Sequence, residues 1–154
     1  MKNYHMSTLH IVCPNCNAVN RIPSGRLTQH PHCGKCKEAL FSGHPLELTG
    51  SNFQRHISRN EIPVVVDFWA SWCGPCKMMA PAYAQAVVKL EPQVRLAKLN
   101  TEQEQDIASQ FNIRSITTLI IFKGGREIAR QSGAMNAADI IRWISSHLYS
   151  SVVS

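Results

Sequence analysis

No stretch of the 154 residues approaches the ~20 consecutive apolar residues that a membrane-spanning helix needs. The opening segment, Met1 to His10, lacks the apolar core of a secretory leader, so a cytoplasmic protein with no membrane association is expected. Nor is there a run of lysine or arginine of the kind that tracks nucleic acid. The 16 basic residues are scattered among 10 acidic ones, and the formal charge of +6 reads as a solvated surface, so no nucleic-acid partner is expected. Internal repeats, low-complexity segments and blocks of like charge are missing too, which confines expected disorder to the extreme ends. What remains fits one full domain of about 100 residues plus a small appendage.

Against these absences stand six cysteines. In a reducing compartment such cysteines serve as metal ligands or catalysts more often than as structural bridges, and here they divide into four and two. Cys13-Pro14-Asn15-Cys16 and Cys33-Gly34-Lys35-Cys36 lie 16 residues apart, the spacing of two zinc-ribbon knuckles. Each knuckle turns two sulfurs toward one point, and four thiolates complete the closed tetrahedral shell of one structural zinc per chain, with no position open for catalysis. His10, His30 and His32 are alternative ligands, and disulfides in place of metal are the other option. The intervening segment, with Pro23, Gly25 and Pro31, cannot build a core of its own, so metal binding would supply its folding energy. A loaded site would lower the net charge to about +4, because four thiolates on a zinc ion carry about −2.

The other two cysteines fall in Val64-Val65-Val66-Asp67-Phe68-Trp69-Ala70-Ser71-Trp72-Cys73-Gly74-Pro75-Cys76-Lys77. A β-branched apolar run that breaks into Trp-Cys-Gly-Pro-Cys reads as a buried strand whose end launches a helix carrying a dithiol. The helix N-terminus stabilises a thiolate on the outer sulfur, which makes Cys73 the nucleophile and Cys76, one turn deeper, the resolving thiol. Gly74 and Pro75 tighten the turn, Pro75 standing where a missing N–H costs nothing. Asp67 interrupts an otherwise apolar strand, and burial there raises its pKa and poises it for proton transfer. No organic cofactor is implied.

Gly43-His44-Pro45 reads as a linker, which divides the chain into a ribbon module, residues 1–43, and a larger domain, residues 44–154. A short strand at Leu46-Glu47-Leu48 is followed by a helix capped by Ser51 and containing Phe53 and Ile57. The central strand spans Val64 to Trp69, and the helix from Cys73 runs to about Leu90 with a kink at Pro81. A strand over Val94 to Leu99, a helix over Glu104 to Phe111, and a strand over Leu119 to Phe122 come next. Gly124-Gly125 turns the last of these into Glu127 to Arg130. Asn136 and Asp139 open a final helix with Ile140, Trp143, Ile144 and Leu148 on its apolar side. The order implies an α/β sandwich, a mixed central sheet flanked by helices.

Val-Asp-Phe-Trp-Ala followed by Trp-Cys-Gly-Pro-Cys resembles the thioredoxin family, and the likeness runs from about Leu46 to Leu148. The ribbon joined to it, with Asn20-Arg21-Ile22-Pro23 and Leu40-Phe41, is similar to the N-terminal module of the bacterial zinc-binding thioredoxin 2 branch. The resemblance implies the thioredoxin fold with an N-terminal zinc ribbon and a monomeric reductase of protein disulfides. It also implies a role in oxidative stress and recharging by an NADPH-dependent thioredoxin reductase. It assigns Asp67 the deprotonation of Cys76, with Lys98 modulating its titration. Trp69 corresponds to the family's buried tryptophan. The peptide groove falls on Trp72, Gly74, Pro75, Ile116, Thr117, Gly133 and Ala134.

At Thr117 this chain departs from the family, which has a cis proline there. A cis bond before threonine costs about 2.5–4 kcal/mol against about 0.5–1 before proline, so a trans Ile116-Thr117 bond is expected. Such a bond would re-aim Ile116 and slow protein reduction, with the Thr117 hydroxyl turned toward Cys73. Two further readings follow from Thr117. One is a binding module or holdase with an impaired redox site. The other is metal or iron–sulfur ligation by Cys73 and Cys76 shared between two chains.

Overall fold

The computed structural model describes residues 7–153, with side chains described through residue 148. Near the start, β1 (Thr8–Val12) and β2 (Val19–Pro23) pair antiparallel, with Thr8 opposite Pro23 and Val12 opposite Val19. The rest is a five-stranded mixed sheet in the order β3 (Leu46–Leu48), β5 (Arg95–Asn100), β4 (Val64–Trp69), β6 (Thr118–Lys123), β7 (Arg126–Ser132). β3 and β4 run parallel to β5, whereas β6 is antiparallel to both β4 and β7. Helices α1 (Phe53–Arg59), α2 (Gly74–Leu90) and α3 (Gln105–Gln110) connect strands, and α4 (Ala137–Val153) follows β7.

Alternation along β4 sorts the core into two layers. Val64, Val66 and Phe68 pack with Phe53 and Ile57 of α1 and with Leu46, Leu48, Ala97, Leu99, Ile120 and Phe122. Val65 packs on the opposite face with Met79, Tyr83, Ala86, Val87 and Leu90 of α2 and Ile140 and Ile144 of α4. Asp67 and Trp69 share the face of Val65 and so project toward α2. The strand is buried from Val64 through Phe68, which is why its sequence is an apolar run rather than an alternating one.

Most boundaries fall within a residue or two of those expected, and the differences have local causes. Ser51 does not cap α1: Asn52 holds the cap position, and its side chain reaches back to the N–H of Thr49 at 2.7 Å and the carbonyl of Glu47 at 3.2 Å. Cys73 is itself the cap of α2, which then runs unbroken through Pro81, whose missing N–H leaves the Lys77 carbonyl without its helical donor. β7 continues to Ser132 because the pairing with β6 extends to Thr118. Gly124 and Gly125 adopt φ of 61° and 83°, the left-handed pair that a two-residue hairpin turn demands.

The ribbon packs against the larger domain at the N-terminal end of β4. Ile62, just before that strand, joins Ile11, Cys13, Leu27, Cys33 and Leu40 in one apolar cluster, so the ribbon borrows part of its core. Buried Asn60 accepts the N–H of Val12 at 2.8 Å and donates to the carbonyl of His56 at 2.9 Å. Arg95, 2% exposed, donates to the Val12 carbonyl at 3.2 Å, stacks 4.6 Å over the Phe41 ring and lies 3.7 Å from Glu91. Removing the Asn60 amide strands two buried backbone groups, so Asn60→Ala should lower stability by about 1–3 kcal/mol. Urea unfolding of the variant checks this, and a loss within ~0.5 kcal/mol, typical of surface changes, would show that the contact does not hold the ribbon.

Candidate active site and metal centre

At the end of β4 the chain leaves the sheet after Trp69. The N–H of Cys73 donates to the Ala70 carbonyl at 3.2 Å, and α2 begins at Gly74. The Ser71 N–H and hydroxyl both donate to Glu102, at 2.8 and 2.6 Å, which pins the loop that carries Trp72. Cys73 and Cys76 form a disulfide with Cα atoms 5.3 Å apart, and Cys73 Sγ accepts the N–H of Cys76 at 3.1 Å. One helical turn from the cap is the spacing that lets two sulfurs meet. The free N–H groups of the first turn also favour negative charge on Cys73 once the bond is reduced. In this oxidised form Cys73 is no more exposed than Cys76, at 2% and 3%, whereas Trp72 beside them is 67% exposed. Gly74 and Pro75 lie on the surface next to it.

Behind the disulfide-bearing helix, Asp67 is 2% exposed, and Thr117 Oγ1 donates to its Oδ1 at 2.5 Å. Burial pushes the carboxyl up from 3.8 to about 6, opposed by the Thr117 hydrogen bond and the charge of Lys98. Lys98 stands opposite Asp67 in the β4–β5 register, with its Nζ 4.7 Å from the centroid of the Trp69 ring. Tyr83 of α2 donates to the carbonyls of Ala97 and Val65 at 2.7 and 3.2 Å. Its phenol is pushed well above the usual range, first by burial and then by the nearby Asp67 charge.

Two expectations for Thr117 do not hold. The Ile116-Thr117 bond is cis, not trans, and the slowed protein reduction that rested on a trans bond goes with it. The hydroxyl meets Asp67 rather than Cys73. Thr117 is held on two sides: its hydroxyl is on Asp67 and its carbonyl accepts the N–H of Gly133 at 2.9 Å. Ile116, half-buried, packs with Ala70, Cys73 and Cys76. Gly133 has φ of 99°, so its glycine is required by the backbone, while the space around a Cβ there is open. Ala134 is exposed.

The four N-terminal cysteines converge at the other end of β4. Their sulfurs all lie within 4.8 Å of one another, with Cys13–Cys36 and Cys16–Cys33 at 3.6 Å. A tetrahedron of thiolates about 2.3 Å from zinc has edges of about 3.8 Å, so the donor set fits that ion. The knuckles repeat one geometry. N–H groups of Asn15 and Cys16 point at Cys13 Sγ, at 3.3 and 3.4 Å, and those of Lys35 and Cys36 at Cys33 Sγ, at 3.3 and 3.5 Å. Asn17 and Lys37 close the turns at φ of 66° and 71°. Asn15 Nδ2 adds a contact to Cys36 Sγ at 3.4 Å and Asn20 Nδ2 one to Cys33 Sγ at 3.5 Å. Such donors stabilise negative sulfur and hold the thiols of Cys33 and Cys36 below the usual range, whereas at Cys13 burial outweighs them and pushes the thiol up to about 12. His10 and His32 are engaged elsewhere, with Glu61 and with the Lys37 carbonyl, both at 2.9 Å.

Sequence reasoning missed the residues that seat the ribbon: Asn60, Arg95, His56, whose Nε2 lies 2.9 Å from Asn17 Oδ1, and Glu91, which accepts the N–H of Gly43 at 3.0 Å. A signal existed for Arg95, a lone charge ahead of the apolar Leu96-Ala97, the same kind of interruption that marks Asp67. Glu102 and Tyr83 gave no such sign, because their partners are backbone groups and a serine distant in sequence.

The family model described as Thioredoxin matches residues 44–146, and a second, described as Thioredoxin 2, N-terminal, matches residues 12–38. Thioredoxin C-3 of Corynebacterium nephridii is 46% identical over 138 residues, which cover 90% of this chain and 94% of that protein. Thioredoxin 1 of a Nostoc species is 39% identical over 102 residues, 66% of this chain and 95% of its own length. A mutant thioredoxin from Halobacterium salinarum superimposes with a TM-score of 0.61 at 28% identity, covering 68% of this chain and 90% of that one. A disulfide capping α2, a buried carboxyl on the strand that leads to it, and family matches spanning both segments converge: the chain belongs to the thioredoxin family of protein-disulfide oxidoreductases.

Proposed function

We propose that the protein works in the reducing direction, as a monomer in the cytoplasm, with residues 44–154 as the reductase and residues 1–43 as a zinc-ribbon module. The Cys73–Cys76 pair at the head of α2 carries this reading. In the dithiol form the Cys73 thiolate attacks a disulfide of a partner protein. One partner sulfur bonds to Cys73 and the other leaves as a thiolate and takes up a proton. Cys76 then loses its proton to Asp67 and attacks Cys73 Sγ. The mixed disulfide breaks, the second partner sulfur leaves as a thiolate that takes up a proton from solvent, and the internal disulfide forms. Two electrons have passed to the partner. An NADPH-dependent thioredoxin reductase returns them. Lys98 tunes the Asp67 carboxyl, and Trp72, Gly74, Pro75, Ile116, Thr117, Gly133 and Ala134 form the wall against which an extended peptide lies. The likeness of the ribbon to the thioredoxin 2 N-terminal module extends the reading to a role in oxidative stress. Dithiothreitol-driven reduction of insulin tests the activity, and a rate no higher than that of Cys73→Ser would refute it.

The buried carboxyl links catalysis to stability. Between about pH 4 and 6 native Asp67 holds a proton that the unfolded chain has released, so stability falls as pH rises through this window, and the cost is fully present above 6. A rise from 3.8 to about 6 corresponds to about 3 kcal/mol. Asp67→Asn should therefore gain about 1–3 kcal/mol at pH 7.5, a gain that vanishes near pH 3.5. The same variant should release mixed disulfides more slowly above pH 6, where the wild-type acceptor is ionised. Urea unfolding at both pH values checks the first part, and an equal gain at each would sink it.

The ribbon is read as a closed zinc site outside the chemistry, since its sulfurs sit at the opposite end of β4 from Cys73. Cys13, Cys16, Cys33 and Cys36 would hold the ion, which supplies cross-linking and no reactive position. We expect a single zinc per chain, retained in Cys73→Ser and lost in Cys33→Ser. Insulin reduction should survive chelation of the metal. Metal analysis of the three proteins decides; zinc content that tracks Cys73 instead would place the ion on the dithiol.

A further inference from the structure

We infer that Thr117 is a positioning residue for disulfide exchange: its hydroxyl donates to Asp67 Oδ1 and holds the buried carboxylate in the ionised form that accepts the proton of Cys76. The inference rests on the reading of Asp67 as that acceptor.

Three observations carry it. First, the bond is sheltered. Thr117 is 1% exposed and Asp67 2%, so water does not compete for the carboxylate, and a donor at 2.5 Å is worth more there than on the surface. Second, the hydroxyl is not needed to place its own backbone. The Thr117 carbonyl is bonded to the Gly133 N–H, whereas the neighbouring Thr118 hydroxyl bonds the Ser115 carbonyl at 2.5 Å and lies 3.2 Å from Ser132 Oγ, contacts that serve the local chain alone. Third, the other groups around Asp67 cannot replace it. From α2 come Tyr83, whose hydroxyl is committed to the carbonyls of Ala97 and Val65, and the Cys73–Cys76 pair. From β5 comes Lys98, half-buried and seated on the Trp69 ring, so its charge acts through a partly screened path. α4 presents Ile140 and Ile144 to this layer. The hydroxyl before β6 is thus the neutral donor that the carboxylate uses, and a proline at 117 would offer none.

Hydrogen bonding to the charged form opposes the effect of burial, so losing it moves the Asp67 midpoint up. Thr117→Val removes the hydroxyl and keeps the shape, and Thr117→Ser keeps the hydroxyl. Thr118→Val serves as a control that removes a neighbouring structural bond. The readouts are the titration of the Asp67 carboxyl carbon by NMR and the pH profile for reduction of a peptide disulfide. In Thr117→Val the midpoint should rise by about one pH unit, slowing turnover about fivefold at pH 6 and hardly at pH 8. Thr117→Ser and Thr118→Val should titrate like the wild type. If Thr117→Val does not fold, Thr117→Ala carries the same expectation. An unmoved midpoint, or an equal rise in Thr117→Ser, would overturn the inference while leaving the catalytic reading intact. A midpoint that moves without the acid limb of the turnover profile would remove Asp67 as acceptor, and the positioning role with it.

Discussion

β4 is buried on both faces, and the constraint this places on its one charged residue organises the molecule. A carboxylate in the middle of a strand flanked by α1 and α2 is costly to ionise, and it persists where polar neighbours share the burden. Asp67 has them from two directions: Thr117 ahead of β6 and Lys98 on β5. The same strand leads through a short loop into α2, so the buried carboxyl and the two sulfurs are brought close by consecutive elements. The sheet supplies position, and the helix terminus supplies the bias toward thiolate.

Much of this was legible in the residues because each feature departs from its surroundings. A charge in an apolar run marked Asp67, two Cys-x-x-Cys knuckles marked the ribbon, and Trp-Cys-Gly-Pro-Cys after a β-branched run marked the dithiol. The order of strands and helices along the chain followed from alternating periodicities and a Gly-Gly turn. What stayed hidden depends on contacts far apart in sequence. The partner of the Thr117 hydroxyl lies 50 residues away, and propensity alone pointed the bond before it the wrong way. Arg95 could be seen as an anomaly, but not that a carbonyl 83 residues earlier would receive it. The cap of α1 slipped by one residue because an asparagine that turns back on its own loop competes well with a serine.

The ribbon shows how a segment too small to fold alone is accommodated. It has one hairpin, a few apolar side chains and four sulfurs, and it completes its core with Ile62 from the larger domain. Arg95 then reaches into that seam. A buried guanidinium is weak evidence for stability in itself. Here it ends on a backbone carbonyl of β1 and the face of Phe41, which ties the register of the ribbon to the start of β5.

The six residues of β4 separate the two sulfur systems by about 20 Å of extended chain. Exchange requires sulfur to touch sulfur, and a rigid strand cannot fold back on itself to bring them together. Cys73 is therefore unable to scramble the cysteines of its own ribbon, however reactive it becomes. If those thiolates are oxidised, their repair is a bimolecular event whose rate depends on how many copies of a reductant surround them, and a molecule with a damaged ribbon still keeps its own catalytic pair free of internal cross-wiring.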